Sequence, residues 1–348
     1  MLVVGVAATS TRGSHGEDQQ LAARLPDKDF WRLTEEFSEP NGYFRSDNLL
    51  SNEIFFENVV PELVQRTSPG GVYIGVGPEQ NFTYIAALKP QMAFIPDIRR
   101  GNLDLQLMYK AVFELSADRA EFVSRLFSRK RQAQLTPTST ADDIFAAYAK
   151  AAPAADDVYN DNLRAIETLL AGKHGFALSN DDRSGIAYVY GNFHAFGPDI
   201  NYNSSTQGAG GFGAVVSYAD LMVATDGHNV SRSFLASEAN FAIVKNLEEK
   251  NLIVPLVGDL AGPKAVRALG KYLRDRSATV TAFYVSNVEQ FLYQGGTWQN
   301  FCRNVASLPL DAKSTFIRST RSGGFAIGLV TELGAMKSDM EGCAGAGR

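Results

Sequence analysis

Apolar and polar positions change period along the chain, and each change marks an element. Between Gly70 and Arg100, Val72-Tyr73-Ile74 is a short apolar run that stops at Gly75 and Gly77. That pattern predicts a buried strand entering a glycine turn. Asn81 to Leu88 predicts a helix with Phe82, Ile85 and Ala86 on one side. Met92 to Ile95 is a second apolar run, closed by Pro96 and Asp97. The stretch reads as strand, glycine turn, helix, strand and acid, the front half of a nucleotide-binding α/β unit.

Upstream, Asp27 to Phe37 predicts a helix with Phe30, Leu33 and Phe37 inward. Asn48 to Val64 carries Leu49, Ile54, Val59, Val60 and Leu63, with Pro61 suited to a first helical turn. These elements are expected to pack on the sheet and cover its cleft. Downstream, Leu103–Leu115, Asp118–Phe127, Thr140–Ala151 and Asp157–Ala171 repeat apolar residues at helical spacing. Phe176 to Phe196 reads as a hairpin turning at Asp181–Gly185. Asn203 to Gly213 is a Ser/Gly-rich loop, expected to be mobile, and Phe212 to Leu221 a short element. Phe234 to Leu247 is an amphipathic helix. Further βα units follow: strands at Asn251–Asp259, Ala278–Val285 and Ser314–Ile317, with helices at Ala261–Asp275 and Thr297–Ala306. Phe325 to Leu333 is placed to close the sheet.

The predicted fold class is therefore α/β with a mainly parallel sheet. A parallel crossover needs only about a dozen residues, and the chain from Asp97 to Leu252 is far longer. The economical division is a core of residues 26–115 and 216–335, with a largely helical insertion, 116–215, as a cap over the strand carboxyl ends. Residues 1–25 read as a disordered tail or leader remnant, and 336–348 as a flexible tail.

Composition removes several function classes. A net charge of -5, with no basic run longer than Arg129-Lys130-Arg131, argues against nucleic acid as a partner. No apolar span reaches membrane length. Cys302 and Cys343 form neither a disulfide framework nor a metal-spaced motif, and the four histidines are scattered, so no metal site is expected. Met1 to Ser10 is apolar and resembles the end of a signal-peptide core without the basic segment before it.

Chemistry gathers at the predicted strand ends. Gly75 and Asp97 are about twenty residues apart, the separation at which a glycine turn and a ribose-binding acid serve one ligand. Polar residues end four strands: Gly75-Val76-Gly77-Pro78-Glu79, Asp97, Gly258-Asp259, and Asn287-Val288-Glu289. His194, among aromatics and a turn, is the best general-base candidate, and Tyr202 and Asp226 are similar loop candidates. Arg99 and Arg100 are either carboxylate binders or solvated. Gly208-Ala209-Gly210-Gly211-Phe212-Gly213 follows no strand and reads as a mobile lid or linker.

This order of strand ends resembles the class I S-adenosylmethionine-dependent methyltransferases, over residues 53–100 and 250–333. The chain also looks like an uncharacterised group of bacterial proteins built on that core. The resemblance implies a Rossmann-like fold and S-adenosylmethionine as cofactor. Gly75 and Gly77 would form the cofactor turn, Asp97 would take the ribose, Asp259 the adenine edge, and Asn287 with Glu289 the methyl-transfer mouth. The family's acid before the first glycine is Tyr73 here, and its third glycine is Glu79, whose carboxylate would have to serve from the other side of the turn. A base such as His194 or Glu289 would act only where the acceptor must lose a proton. The implied activity is methylation of a small molecule, in the cytoplasm. The alternative is a non-catalytic binding or scaffold protein on the same fold, exported if the N-terminus is a leader remnant. A nicotinamide-dependent oxidoreductase is a third reading.

Overall fold

The computed structural model describes residues 20–206, 216–321 and 329–345. Its centre is a six-stranded sheet: β1 (Val72–Gly75), β2 (Met92–Asp97), β3 (Ile253–Val257), β4 (Val280–Ser286), β5 (Thr315–Arg321) and β6 (Leu329–Ala335). The spatial order is β3-β2-β1-β4-β5-β6. The first five strands pair in parallel, and β6 runs antiparallel to β5. Strands β1, β2 and β3 are buried along their whole length, as both-face coverage requires.

Fourteen α-helices lie among the described residues. Before the sheet come α1 (Asp27–Phe37) and α2 (Val60–Arg66). Helix α3 (Gln80–Leu88) joins β1 to β2. The long path from β2 to β3 holds α4 (Arg100–Leu115), α5 (Arg119–Leu126), α6 (Ala141–Ala149), α7 (Asp156–Glu167), α8 (Asn180–Phe196), α9 (Tyr218–Val223) and α10 (Glu238–Glu249). Then follow α11 (Ala265–Arg274), α12 (Val288–Gln294), α13 (Trp298–Ala306) and α14 (Met336–Gly345). The chain moves outward from β1 to β3, then returns through β4 to β5. Right-handed crossovers in opposite directions put their helices on opposite faces. Accordingly α2, α3, α4 and α10 pack as one group, and α1, α11, α13 and α14 as another.

The strand and helix expectations around β1 and β2 agree with the structure to within a few residues. Four expectations do not. Phe176 to Phe196 is not a hairpin. Ser179 caps α8 by accepting from the Asp182 amide at 3.0 Å, and the Asp182 carboxylate returns the bond to the Ser179 amide at 2.8 Å. That capping box makes Asp181–Gly185 a first helical turn. Gly185 is there because a Cβ would run into the Asp104 carboxylate of α4.

Cys302 and Cys343 do pair, with Cα atoms 5.9 Å apart. They are 41 residues apart in sequence and meet only because the β5–β6 hairpin returns α14 to α13. Residues 336–345 are therefore a docked helix rather than a flexible tail, with Met336 and Cys343 buried. Leu25, expected in a disordered tail, is buried and donates its amide to the Lys250 carbonyl at 3.0 Å. Residues 1–19, the Gly208–Gly213 motif and 346–348 lie outside the described residues.

Candidate functional site

A cavity of about 980 Å³ opens at the carboxyl ends of the parallel strands. Its floor is Val76, Gly77 and Pro78 after β1, Asp97 at the end of β2, and Gly258-Asp259 after β3. Ser286 and Asn287 after β4 complete it. The roof is the segment before α2, from Tyr43 to Glu53. Of the long β2–β3 connection, Tyr202, Asn203 and Val216 reach it.

The glycine turn is organised by a residue that the sequence pattern did not single out. Asn81 donates to the Val76, Gly77 and Pro78 carbonyls at 2.9, 3.2 and 2.8 Å. Its Oδ1 accepts from the Tyr73 hydroxyl at 2.8 Å. Gly75 is a glycine because a Cβ would strike Asn81 Oδ1 and the Tyr73 hydroxyl. Gly75 and Tyr73 thus serve packing beneath the turn, and neither lines the cavity. Gly77 does line it, and its φ of 79° is the left-handed conformation that favours glycine.

Glu79 faces away from the cavity. Its buried carboxylate accepts from the Ser51 amide at 3.0 Å, and burial pushes its pKa up to about 8. Asp97 lines the cavity and is 9% exposed. It accepts from the Arg99 amide at 2.9 Å and faces the Arg99 guanidinium at 3.2 Å. Burial raises its pKa and Arg99 opposes the shift. Arg99 also donates to the Asp47 carbonyl, tying β2 to the roof. Asp259 lines the cavity and accepts from the Ala261 amide at 2.8 Å.

Asn287 lines the cavity from the start of α12. Glu289 does not; it pairs with Arg318 at 2.9 Å, and Arg318 bonds Asp339 of α14 at 2.6 Å. His194 is also away from the cleft. It stacks on Tyr159, ring centroids 4.6 Å apart, and burial together with Arg129 pushes its pKa down. Asp226 caps a turn and pairs with Arg232 at 2.8 Å. Arg100 pairs with Asp182 rather than facing the cavity. The structure therefore brings Gly77, Asp97, Asp259, Asn287 and Tyr202 together, and leaves Tyr73, Gly75, Glu79, Glu289 and His194 outside.

Sequence reasoning also missed Glu53. This residue is 1% exposed and lines the cavity from the roof. Its two carboxylate oxygens accept from the hydroxyls of Ser286, at the end of β4, and Ser319, in β5. Ser286 sits at φ 51°, an uncommon conformation for a residue with a side chain. No described lysine, arginine or histidine forms an ion pair with Glu53. Among the described residues, no group of histidine, cysteine and carboxylate side chains could hold a metal ion, and no helix is long and apolar enough to cross a membrane.

These features define a mixed α/β protein with a mostly parallel sheet and one large cleft at its carboxyl edge. The profile of a domain of unknown function, DUF7790, matches residues 49–335, and the chain belongs to that family. No curated protein matches it.

Proposed function

We propose that the cleft binds a nucleoside-bearing cofactor, S-adenosylmethionine foremost, and that the protein is a Rossmann-like methyltransferase acting on a small molecule. The observation that carries this reading is the meeting of Gly77, Asp97 and Asp259 in one cavity, at the ends of three adjacent strands. The chain leaves β1 in one direction and later returns to β4 on its other side, and open parallel sheets bind ligands outside such a reversal. The cavity has the volume of a small-molecule site.

The residues suit such a group. Gly77 permits close backbone approach. The Asp97 oxygen farther from the Arg99 amide meets only a 3.4 Å guanidinium contact, which leaves it able to accept from ribose hydroxyls. In the cavity wall, Gln80 Oε1 and Asn48 Oδ1 have no hydrogen-bond partner. S-adenosylmethionine, when bound, supplies an already activated methyl group. The chain's part is to hold the two reactants in line and exclude water. Tyr43 and Phe44 from the roof, and Tyr202 from residues 116–215, stand at the mouth to select the acceptor. Those residues are the insertion in this reading.

A second reading keeps the cleft and drops catalysis. Tyr73 and Glu79 favour it, because both turn away and leave the glycine turn without an acid for the cofactor's ammonium.

Calorimetric titration with S-adenosylmethionine and S-adenosylhomocysteine tests the first reading. Losing hydrogen bonds to a charged group costs ~1.5–3 kcal/mol, so Asp97→Asn should weaken binding by roughly 10- to 150-fold. If the unmutated protein binds neither compound at millimolar concentration, the cofactor assignment fails. Binding without methyl transfer to any small-molecule acceptor would favour the second reading.

A further inference from the structure

The cleft has a second end, between β4 and β5, with different chemistry. Glu53 stands there with its carboxylate held by two serine hydroxyls and, among the described residues, no cation. Beside it, Gln80 is 3% exposed and lines the same cavity. The Tyr284 hydroxyl lies next to Glu53 and favours its ionised form. The Tyr284 oxygen accepts from Gln80 Nε2 at 2.9 Å. In that orientation Gln80 Oε1 has no partner. The wall at this end is thus acceptor-rich: a carboxylate and an unpaired amide oxygen.

We propose that Glu53 and Gln80 form an ammonium-binding subsite, the seat of a positively charged amine on the cleft's ligand. An ammonium carries three donors and no acceptor, the complement of this wall. A buried carboxylate without a cation is costly, and a ligand cation removes the cost. The subsite rests on the cavity alone and holds whatever ligand fills the Asp97 end. The sheet order puts β1 between β2 and β4, with β5 beyond, so this end is about 10–14 Å from Asp97 at strand spacings of about 4.8 Å. The amine belongs either to the amino-acid tail of a nucleoside or to a separate small molecule; the recognition is the same.

The groups around Glu53 are Tyr73 of β1, Tyr84 of α3, Tyr284 of β4 and Glu79. None is cationic. Arg45, Arg99 and Arg321 line the cavity without pairing with Glu53. Burial raises the proton affinity of Glu53, and the surrounding hydroxyls oppose that shift. A bound ammonium lowers the affinity further, so at any pH where the free carboxyl carries a proton, binding sends it to solvent and leaves a carboxylate–ammonium pair.

The test titrates the protein with putrescine, S-adenosylhomocysteine and adenosine over a series of pH values, each in two buffers of different ionisation enthalpy. Putrescine or S-adenosylhomocysteine should bind with proton release that appears as pH falls, and adenosine without it. Glu53→Gln keeps the shape, removes the charge and should weaken the amine by about tenfold or more. It should abolish the proton release and leave adenosine unaffected. Putrescine binding alone assigns the amine to a second molecule, and S-adenosylhomocysteine alone assigns it to a nucleoside's tail. Binding of both amines that stays proton-neutral at every pH of the series overturns the subsite, even where Glu53→Gln fails to fold. Unchanged amine affinity in a folded Glu53→Gln also overturns it. Adenosine binding with both amines silent overturns the subsite and spares the nucleoside reading. Putrescine binding with both nucleosides silent does the reverse, and silence of all three overturns both.

Discussion

Asp97 and Glu53 are carboxylates in the wall of the same cavity, 9% and 1% exposed. Burial raises both pKa values. At Asp97 the opposing influence is a guanidinium, Arg99, together with its amide. At Glu53 the opposing groups among the described residues are hydroxyls. One end of the cleft is electrically finished before a ligand arrives, and the other is not. A neutral, hydroxyl-rich ligand portion suits the first end, and a cation suits the second.

The contrast makes its largest prediction for stability. Arg99→Ala leaves Asp97 buried without its cation and also removes the tie to Asp47. Breaking a buried pair from one side costs ~3–5 kcal/mol, so urea denaturation should show a loss of that size. Glu53→Gln removes a charge that had no partner and should change stability by less than about 1 kcal/mol at neutral pH. Equal losses in the two variants would erase the distinction between the two ends.

The next effect concerns how each end is held. Ser319, which binds Glu53, lies in β5, and β5 pairs with β6 just before α14. The Cys302–Cys343 bridge fastens α14 to α13. Closing a loop of this length is worth ~2–4 kcal/mol. Reduction, or the Cys302→Ser and Cys343→Ser pair, should lower stability by about that amount. Hydrogen exchange should rise in β5, β6 and α14 and stay unchanged around Asp97. A uniform rise across the sheet would show that the two ends are not held separately.

The two ends also differ in how far they could be read from sequence. Asp97 follows an apolar run and a glycine turn within one βα unit, so local period and spacing reached it. Glu53 meets Ser286 and Ser319 across 233 and 266 residues, and no local pattern relates them. The nearest available signal was negative: a lone acid among Leu49, Leu50, Ile54 and Phe55, without a basic residue nearby. Glu79 and Tyr73 were assigned to the cleft by counting along the turn. Asn81 decides their actual direction by drawing three carbonyls and the Tyr73 hydroxyl to itself. The α8 misreading is different: its Ser179–Asp182 capping box is local and was read as part of a turn, while Gly185 answers to Asp104 of α4. That helix apart, elements whose causes lie within a dozen residues were legible; contacts made by the return of the chain were not.

Burial without a cation raises the proton affinity of carboxyls beyond the cleft as well. Glu79 meets no cation among the described residues and is pushed up to about 8 by burial. Glu114 is also buried, yet His174 and Lys110 outweigh burial and hold it down to about 2. The signs of their pH dependence are therefore opposite. Glu79 favours the folded state fully below its unfolded value of about 4.5, and that contribution is lost as pH rises toward 8. Its slope is ~1.4 kcal/mol per pH unit in that window. Glu79→Gln should flatten the decline of stability between about pH 5 and 8 by up to that slope. Glu57, Asp104 and Glu248 are pushed to about 8 as well, so part of the decline should remain. Glu114→Gln should leave this window alone and lessen the loss of stability as pH falls toward 2.

The smallest effect separates the two serines that hold Glu53. Both hydroxyls donate to the same carboxylate, so Ser286→Ala and Ser319→Ala should each cost ~1 kcal/mol. Their backbones differ. Ser286 has φ 51°, and Ser319 lies inside β5. At a left-handed position a Cβ is itself a strain of ~1 kcal/mol, which glycine relieves. In a strand, glycine adds entropy to the unfolded chain and loses ~0.5–1 kcal/mol relative to alanine. Ser286→Gly should therefore be more stable than Ser286→Ala, close to the unmutated protein, while Ser319→Gly should be less stable than Ser319→Ala. Urea denaturation of the four variants gives the two differences directly. Opposite signs mean that the chain accepts backbone strain at the end of β4 in order to aim a hydroxyl at Glu53. Equal signs mean that the Ser286 backbone relaxes without its side chain, and that the carboxylate is positioned from β5 alone.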